Sequence, residues 1–475
     1  MTFFSLTIVA VLVVLVTAKC KQSITEIFIL ITALGIALEI MMSVGYFLRV
    51  GSIELGYSEF IIILDTLIAL LMFAYKKPAR RHVLLMLGFI IACCISLILQ
   101  MIVPYAKPVV SSSAEWDFYY FLGQQPSQIV IGMQHIKEIF HVVCYTLIMM
   151  QVQLLDPEKK SKLIRHIYSF EKPFIWFGVI EFIAVKILDV QTILTSLEIY
   201  ILGDSYISDG AMLSIGISDR LRGLKSEPSM YGFALFIFFV QAYFMYREYQ
   251  KNEYIRYAIA ALLLMIASFS FTAIVCLAGI VGYWLILKYK NGSFITQRKI
   301  IGCTCVCIVT VIVALNYIYS HEFSNYYLKR IHMALINMED LSITGWRGDY
   351  ATYDGSTKIR MISIIGTLQY FLARPLFGLA LGSTYAHSTM ATVLASLGIV
   401  GTSFWCRFTF YADKKNNGRI YTISVIVWIL MLIILGEGLF PFYGIENVVV
   451  LYVFDRFKKG RKIDGTQNIN NYSML

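Results

Sequence analysis

Uninterrupted apolar blocks of about 17 to 25 residues recur along the whole 475-residue chain, and a block of that length fits few environments. About 20 residues at 1.5 Å each match the ~30 Å hydrocarbon core of a bilayer. Lipid offers no partner for an open backbone hydrogen bond, so such blocks must be helices. The pattern predicts spans over 2–18, 24–48, 59–75, 82–106, 134–155, 173–190, 227–246, 255–270, 271–288, 299–319, 387–405, 420–437 and 439–455. The last 255–288 stretch is too long for one crossing and is split at Ser268-Phe-Ser270-Phe-Thr272, where small hydroxyls suit a tight turn. Composition agrees: 58% of residues are hydrophobic and 15% charged, against about 25% charged in soluble domains. A soluble fold is excluded. The expectation is an all-α polytopic membrane protein with 12–14 transmembrane helices, 13 favoured, forming one membrane domain over 1–475. The first block lacks a basic leader and meets a second span at once, which argues against a cleaved signal peptide.

The formal charge of +10 does not point to nucleic acid, because Lys and Arg sit in short clusters between apolar blocks. Seven such breaks hold 27 of the 40 Lys and Arg. They alternate without exception when the N-terminus is outside and the C-terminus inside, with 456–475 a cytoplasmic tail. Three outer segments are then long: 107–133, 191–226 and 320–386. The largest predicts two surface helices, from Tyr327, Ile331, Leu335 and Met338 and from Met361, Ile365, Leu368 and Leu372 at helical spacing.

The nine cysteines imply no disulfide framework, since none lies in a long outer loop. Cys303, Cys305 and Cys307 alternate on a predicted helix, where a two-residue step turns the side chain by about 200°, so they do not converge on a metal. Ionisable residues inside or near spans carry a functional expectation of their own. They are Glu39, Asp65, Glu181, Lys186 and Glu437, together with a Lys137, Glu138 and His141 face on one predicted helix. Local ion pairing, a proton relay and a polar wall facing substrate all remain open for them.

Two outer stretches concentrate chemistry. The first is Arg220-Leu-Arg222-Gly223-Leu-Lys225-Ser226-Glu227-Pro228-Ser229, before the seventh span. The second contains Arg360, then Arg374-Pro375-Leu376-Phe377-Gly378-Leu-Ala-Leu-Gly382-Ser383, His387, and Gly398-Ile399-Val400-Gly401. A guanidinium donates two parallel charge-assisted hydrogen bonds and stays charged, which suits a phosphate or pyrophosphate. A helix N-terminus favours the same anion, Pro228 fits a first helical turn, and Gly223, Gly378 and Gly382 admit close backbone approach to a ligand. Lipid snorkelling and ordinary loop punctuation are the plain alternatives.

These residues resemble the O-antigen polymerase and ligase superfamily. Arg220-x-x-Gly223 with Glu227-Pro228-Ser229 is similar to its first outer motif, and Arg360, Pro375-Leu-Phe-Gly378, Gly382, His387 and Gly398-Ile-Val-Gly401 to its second. The likeness covers about residues 200–405. It departs at Ser270-Phe271-Thr272, where the family often has Ser-Arg-Thr, at Ala380 in place of a glycine, and at Ser396-Leu397, where ligases often carry an acid. The resemblance implies a GT-C-like, metal-independent glycosyltransferase without cofactor, facing outward from the bacterial cytoplasmic membrane. It would join undecaprenyl-pyrophosphate-linked oligosaccharide repeat units into a surface polysaccharide, alongside a flippase and a chain-length regulator. On that reading Arg220 and Arg360 hold the pyrophosphate, with Arg222, Gly223, Arg374 and Gly378 assisting. His387 orients or deprotonates the acceptor hydroxyl, and Glu227 is the rival base or a helix cap. A ligase of the same superfamily and, from another class, a lipid-linked oligosaccharide flippase or proton-coupled transporter stay in view.

Overall fold

The computed structural model describes residues 3–19, 23–42, 46–50, 53–75, 80–111, 126–188, 190–202, 221–225, 228–268 and 355–410, with single positions at 78, 115, 270, 273, 276 and 277. Helices dominate. They are α1 (Phe3–Lys19), α2 (Ile24–Met41), α3 (Tyr57–Tyr75), α4 (Arg80–Ile102), α5 (Met133–Gln153), α6 (Pro157–Phe182), α7 (Gln191–Leu202), α8 (Pro228–Tyr249), α9 (Asn252–Ala267), α10 (Gly355–Ala373) and α11 (Thr389–Thr409). The described residues also hold one antiparallel hairpin, β1 (Leu48–Val50) with β2 (Ile53–Leu55). The expected spans 271–288 (apart from positions 273, 276 and 277), 299–319, 420–437 and 439–455, the tail 456–475, the three cysteines 303–307 and the surface helix built on Tyr327–Met338 lie outside the described residues.

Four described helices are long and apolar enough to cross a membrane: α2, α4, α8 and α11. The environment of α4 is inverted relative to a soluble protein. On α4, Leu84, Leu87, Ile91, Ile95, Ile98 and Met101 form an exposed stripe at helical spacing, while Phe89, Cys93, Ser96 and Gln100 are buried. Buried polar groups then find partners inside the bundle. Thr32 donates to Asp65 Oδ1 at 3.0 Å, and Gln241 donates to the Ile164 carbonyl at 2.9 Å. Large apolar surface outward, with polar contacts such as these inward, describes a chain whose solvent is lipid. This is an all-α membrane protein.

Several boundaries differ from the sequence reading for local reasons. The block 24–48 is helical only to Met41, because Phe47–Leu55 turns into the hairpin, where Phe47 N–H donates to the Leu55 carbonyl at 2.8 Å. The basic segment 156–172 continues the helix of 173–182 as one element, α6, started by Pro157 and carried through Pro173. Part of the segment 191–226, expected as an outer loop, is the helix α7. At the expected split of 255–288, α9 ends at Ala267 with Ser268 as its C-cap. The helix expected around Met361–Leu372 is α10.

Two ion pairs, Lys162–Glu26 and Lys172–Glu253, gather the starts of α2, α6 and α9 at one end of the bundle. The ends of α2 and α6 and the start of α8 meet at the opposite end. There Lys225 Nζ donates to the Glu39 carbonyl at 2.8 Å, and Arg222 N–H donates to Glu181.

One helix is broken and repaired by another segment. At Gly398, with φ +63°, α11 leaves helical geometry. In an intact helix the Ala395 and Ser396 carbonyls would receive the N–H groups of Ile399 and Val400. Here the partners are exchanged with the loop 375–380. Ile399 N–H donates to Pro375 O at 2.8 Å and Val400 N–H to Leu376 O at 3.2 Å. In return Leu379 N–H donates to Ala395 O at 2.8 Å and Ala380 N–H to Ser396 O at 2.9 Å. Ser96 of α4 joins the splice, donating to Ser396 O and accepting from Ala380 N–H. The two backbones come so close that a Cβ on Gly378 would lie 2.5 Å from the Ala395 oxygen, and one on Gly398 2.5 Å from the Phe377 nitrogen. Ala380 itself holds φ +76°, a left-handed conformation costing roughly 1–2 kcal/mol.

Gly398→Ala and Gly378→Ala each combine a positive φ with a steric clash. Each is expected to lower stability by about 2–5 kcal/mol, read as a loss of monodisperse protein and a fall in Tm in detergent. A wild-type Tm for either would contradict the splice.

Candidate functional site

The end of the bundle that holds Glu39, Glu181 and Lys225 also holds the two arginine-bearing stretches. Their junction is direct. Arg360, on the first turns of α10, donates from Nη2 to Ser229 Oγ at 3.0 Å. Ser229 belongs to the first stretch and sits in the opening turn of α8, one residue after Pro228. One turn further along α8 is Gly232. A Cβ there would lie 2.7 Å from Ser270 Oγ, so the turn after α9 packs on the same corner.

Arg360 and His387 are coupled through Ser363, which follows Arg360 by three residues and therefore shares its helix face. Ser363 Oγ donates its one hydrogen to the Arg360 carbonyl at 2.8 Å. It must then accept from its other neighbours: His387 N–H at 3.1 Å and His387 Nδ1 at 3.1 Å. Hydrogen bonding thus assigns the imidazole proton to Nδ1 and the lone pair to Nε2. The Tyr385 ring meets His387 edge-on at 5.4 Å. His387 lies just before α11, whose N-cap is Ser388, accepting from Ala391 N–H. Burial first, and the nearby Arg360 charge second, push the His387 pKa down to about 3. In the ligand-free protein it is a neutral hydrogen-bonding group and a weak base.

The remaining expected site residues fall into three groups. Arg220 and Glu227 lie outside the described residues. Arg222 and Gly223 are buried in the turn before α8. Their N–H groups both donate to Glu181, and the Arg222 guanidinium reaches the Lys225 carbonyl at 3.5 Å. Arg374 is held against the end of α4. It donates to Gln100 Oε1 at 2.9 Å and to the Val103 carbonyl, and its guanidinium lies 5.7 Å from the Tyr105 ring centre. A cation at a helix C-terminus is favourable in its own right. Gly378, expected to admit a ligand, instead admits α11 backbone, and Gly382 abuts Glu138 and Gln134 of α5.

The Lys137, Glu138 and His141 face packs beside that second stretch. Lys137 pairs with Glu59 of α3 at 2.9 Å. His141 stands between two carboxylates, its Nε2 3.9 Å from Glu59 and its Nδ1 3.9 Å from Glu138. His135 Nδ1 accepts from Gly132 N–H, so its Nε2 carries the proton and donates to Ser383 Oγ at 3.0 Å. Of the other flagged residues, Asp65 accepts from Thr32 and Glu181 from Arg222 and Gly223, and Glu437 lies outside the described residues.

Ser363, Lys225 and the pairing role of Glu181 were not singled out from sequence as parts of the site. Ser363 had a usable signal, the i+3 spacing from Arg360. The Glu181–Arg222 contact bridges 41 residues and had none. Among the described residues no group of three or more His, Cys, Asp or Glu side chains is arranged to hold a metal ion.

Replacing His387 by Gln should flatten the acid limb of the stability profile. The imidazole titrates near 6.5 when unfolded and near 3 when folded, so the unfolded state binds the extra proton between those values. Its contribution is full above pH 6.5 and is lost as pH falls from there toward 3. Thermal unfolding of wild type and His387→Gln across that window checks this, and identical acid limbs would contradict it.

Comparison of the chain with protein-family models, with curated proteins and with solved structures finds no match.

Proposed function

We propose that the protein is a polysaccharide polymerase of the O-antigen polymerase type. It joins undecaprenyl-pyrophosphate-linked repeat units at the outer leaflet of the bacterial cytoplasmic membrane, in a 13-span, GT-C-like fold with its N-terminus outside. The observation that carries this reading is the Arg360–Ser229 hydrogen bond. It ties a guanidinium of the second stretch to the opening turn of the helix that ends the first. A fixed cation beside a helix N-terminus is an arrangement suited to a diphosphate.

In the reaction, the acceptor sugar's hydroxyl oxygen bonds to the donor's anomeric carbon as the bond from that carbon to the diphosphate oxygen breaks. The electron pair leaves on the diphosphate, and the hydroxyl proton goes to a base. Arg360, with Arg220 where the stretch continues, stabilises the charge that accumulates on the leaving group. Pre-placed donors of this kind need no reorganisation as the bond breaks. His387 offers Nε2 to the acceptor hydroxyl. A diphosphate arriving at Arg360 opposes one of the two causes that depress His387 and so raises its proton affinity. Base strength then arrives together with the donor. The polar groups of this corner lie at helix ends, where a headgroup is, while transporters commonly place their sites at the midplane.

Purified full-length protein incubated with a defined lipid-linked repeat unit should give a ladder of oligomers, with EDTA present. Arg360→Ala is expected to cut the rate ~100- to 1000-fold while protein amount stays normal, and His387→Ala to abolish most of the ladder. Normal chain lengths from Arg360→Ala would overturn the reading. Loss of the ladder in EDTA would overturn its metal independence.

A further inference from the structure

The turn Arg222-Gly223-Leu224-Lys225 is held in place by a carboxylate from another helix. Glu181, in the last turn of α6 before its π-helical extension Ile183–Ile187, is buried. Its Oε1 accepts Arg222 N–H at 3.0 Å and its Oε2 accepts Gly223 N–H at 2.8 Å. Gly223 has φ +57°, so two successive N–H groups point to one side and form an anion-binding concavity, a nest. Both carboxylate oxygens are used on it. On the other side of the turn, Lys225 N–H donates to Arg222 O at 3.0 Å, Lys225 Nζ donates to the Glu39 carbonyl of α2, and Leu224 bridges to Met42. Beneath it lies Tyr231 of α8: a Cβ on Gly223 would sit 2.5 Å from its ring. Three helices, α2, α6 and α8, are thus fastened to four residues of chain.

We propose that Glu181 is the positioning residue of the diphosphate site. By filling the nest it fixes the turn that leads into α8, and so fixes where Ser229 meets Arg360. The proposal rests on the functional reading above. Glu181 touches no substrate; it acts through the backbone of the first stretch. A carboxylate is required because only it presents two acceptors to two neighbouring donors. Glutamine keeps the shape but turns one oxygen into a donor, setting N–H against N–H in a buried place.

The test uses full-length protein in lipid nanodiscs, comparing wild type, Glu181→Gln and Glu181→Asp. Amide hydrogen exchange should show Arg222 and Gly223 protected in wild type and exposed in Glu181→Gln, with Glu181→Asp between them. With a defined lipid-linked repeat unit, Glu181→Gln should lower kcat/KM by roughly 10- to 100-fold. The loss should largely vanish when Ser229→Ala is already present, because the two changes act on one junction. A purely structural defect would instead add to Ser229→Ala. Unprotected amides in wild type, additive losses, or full activity in Glu181→Gln would each overturn the positioning role. A wild-type protein with protected amides and no ladder would overturn the polymerase reading, and with it this role in catalysis, while leaving the nest standing.

Discussion

A helix that breaks inside a bilayer strands carbonyls and N–H groups where no water can reach them. In this protein α11 breaks at Gly398, and the loop 375–380 takes over the partners of Ala395, Ser396, Ile399 and Val400. The rest of the corner depends on that exchange. Because the loop is stitched into α11 at four points, its continuation through Gly382, Ser383 and Tyr385 has little freedom. His387 emerges from it at a fixed distance from α10, where Ser363 receives it. Ser96 adds α4 to the same splice. Backbone, rather than side-chain packing, sets the geometry of the second stretch.

The first stretch is held by a different device with the same logic. Its buried N–H groups are satisfied by Glu181, and Lys225, three residues after the turn begins, spans back to α2. Irregular backbone in a membrane protein is tolerated when protein supplies the missing partners, and each stretch meets that condition separately. Their meeting at Arg360 and Ser229 is then a contact between two independently fixed bodies. Pre-organisation of this kind matters for a charge-stabilising site, since donors that must move as charge develops lose much of their effect. The cations near the corner divide by role. Arg222, Lys225 and Arg374 are committed to carbonyls of the protein, whereas Arg360 donates to a hydroxyl beside a helix start.

Much of this was legible in sequence and some was not. Spans could be read because lipid length and backbone satisfaction leave one answer for an apolar run, and α4 and α8 fall within a few residues of the blocks expected. The end of the 24–48 block could not, because Phe47 and Leu48 are as apolar as the helix before them yet belong to the hairpin. The two stretches were recognisable as a pair, yet what their glycines approach was not. Gly378 permits the close approach expected of it, here to the backbone of Ala395 and Ser396, and Gly398 does the same toward Leu376 and Phe377. Sequence shows that a position tolerates contact; it does not show with what. Glu181 was visible as a carboxylate in an apolar block, a residue type that demands a partner. Finding that partner needed the fold.

The central claim is that one diphosphate is gripped where the two stretches meet. An electron cryomicroscopy map of the full chain in nanodiscs with undecaprenyl diphosphate tests it most directly. The account predicts density for the phosphates against the Arg360 guanidinium and the first turn of α8. Phosphate density elsewhere in the protein, with the Arg360–Ser229 corner closed and empty, would contradict it.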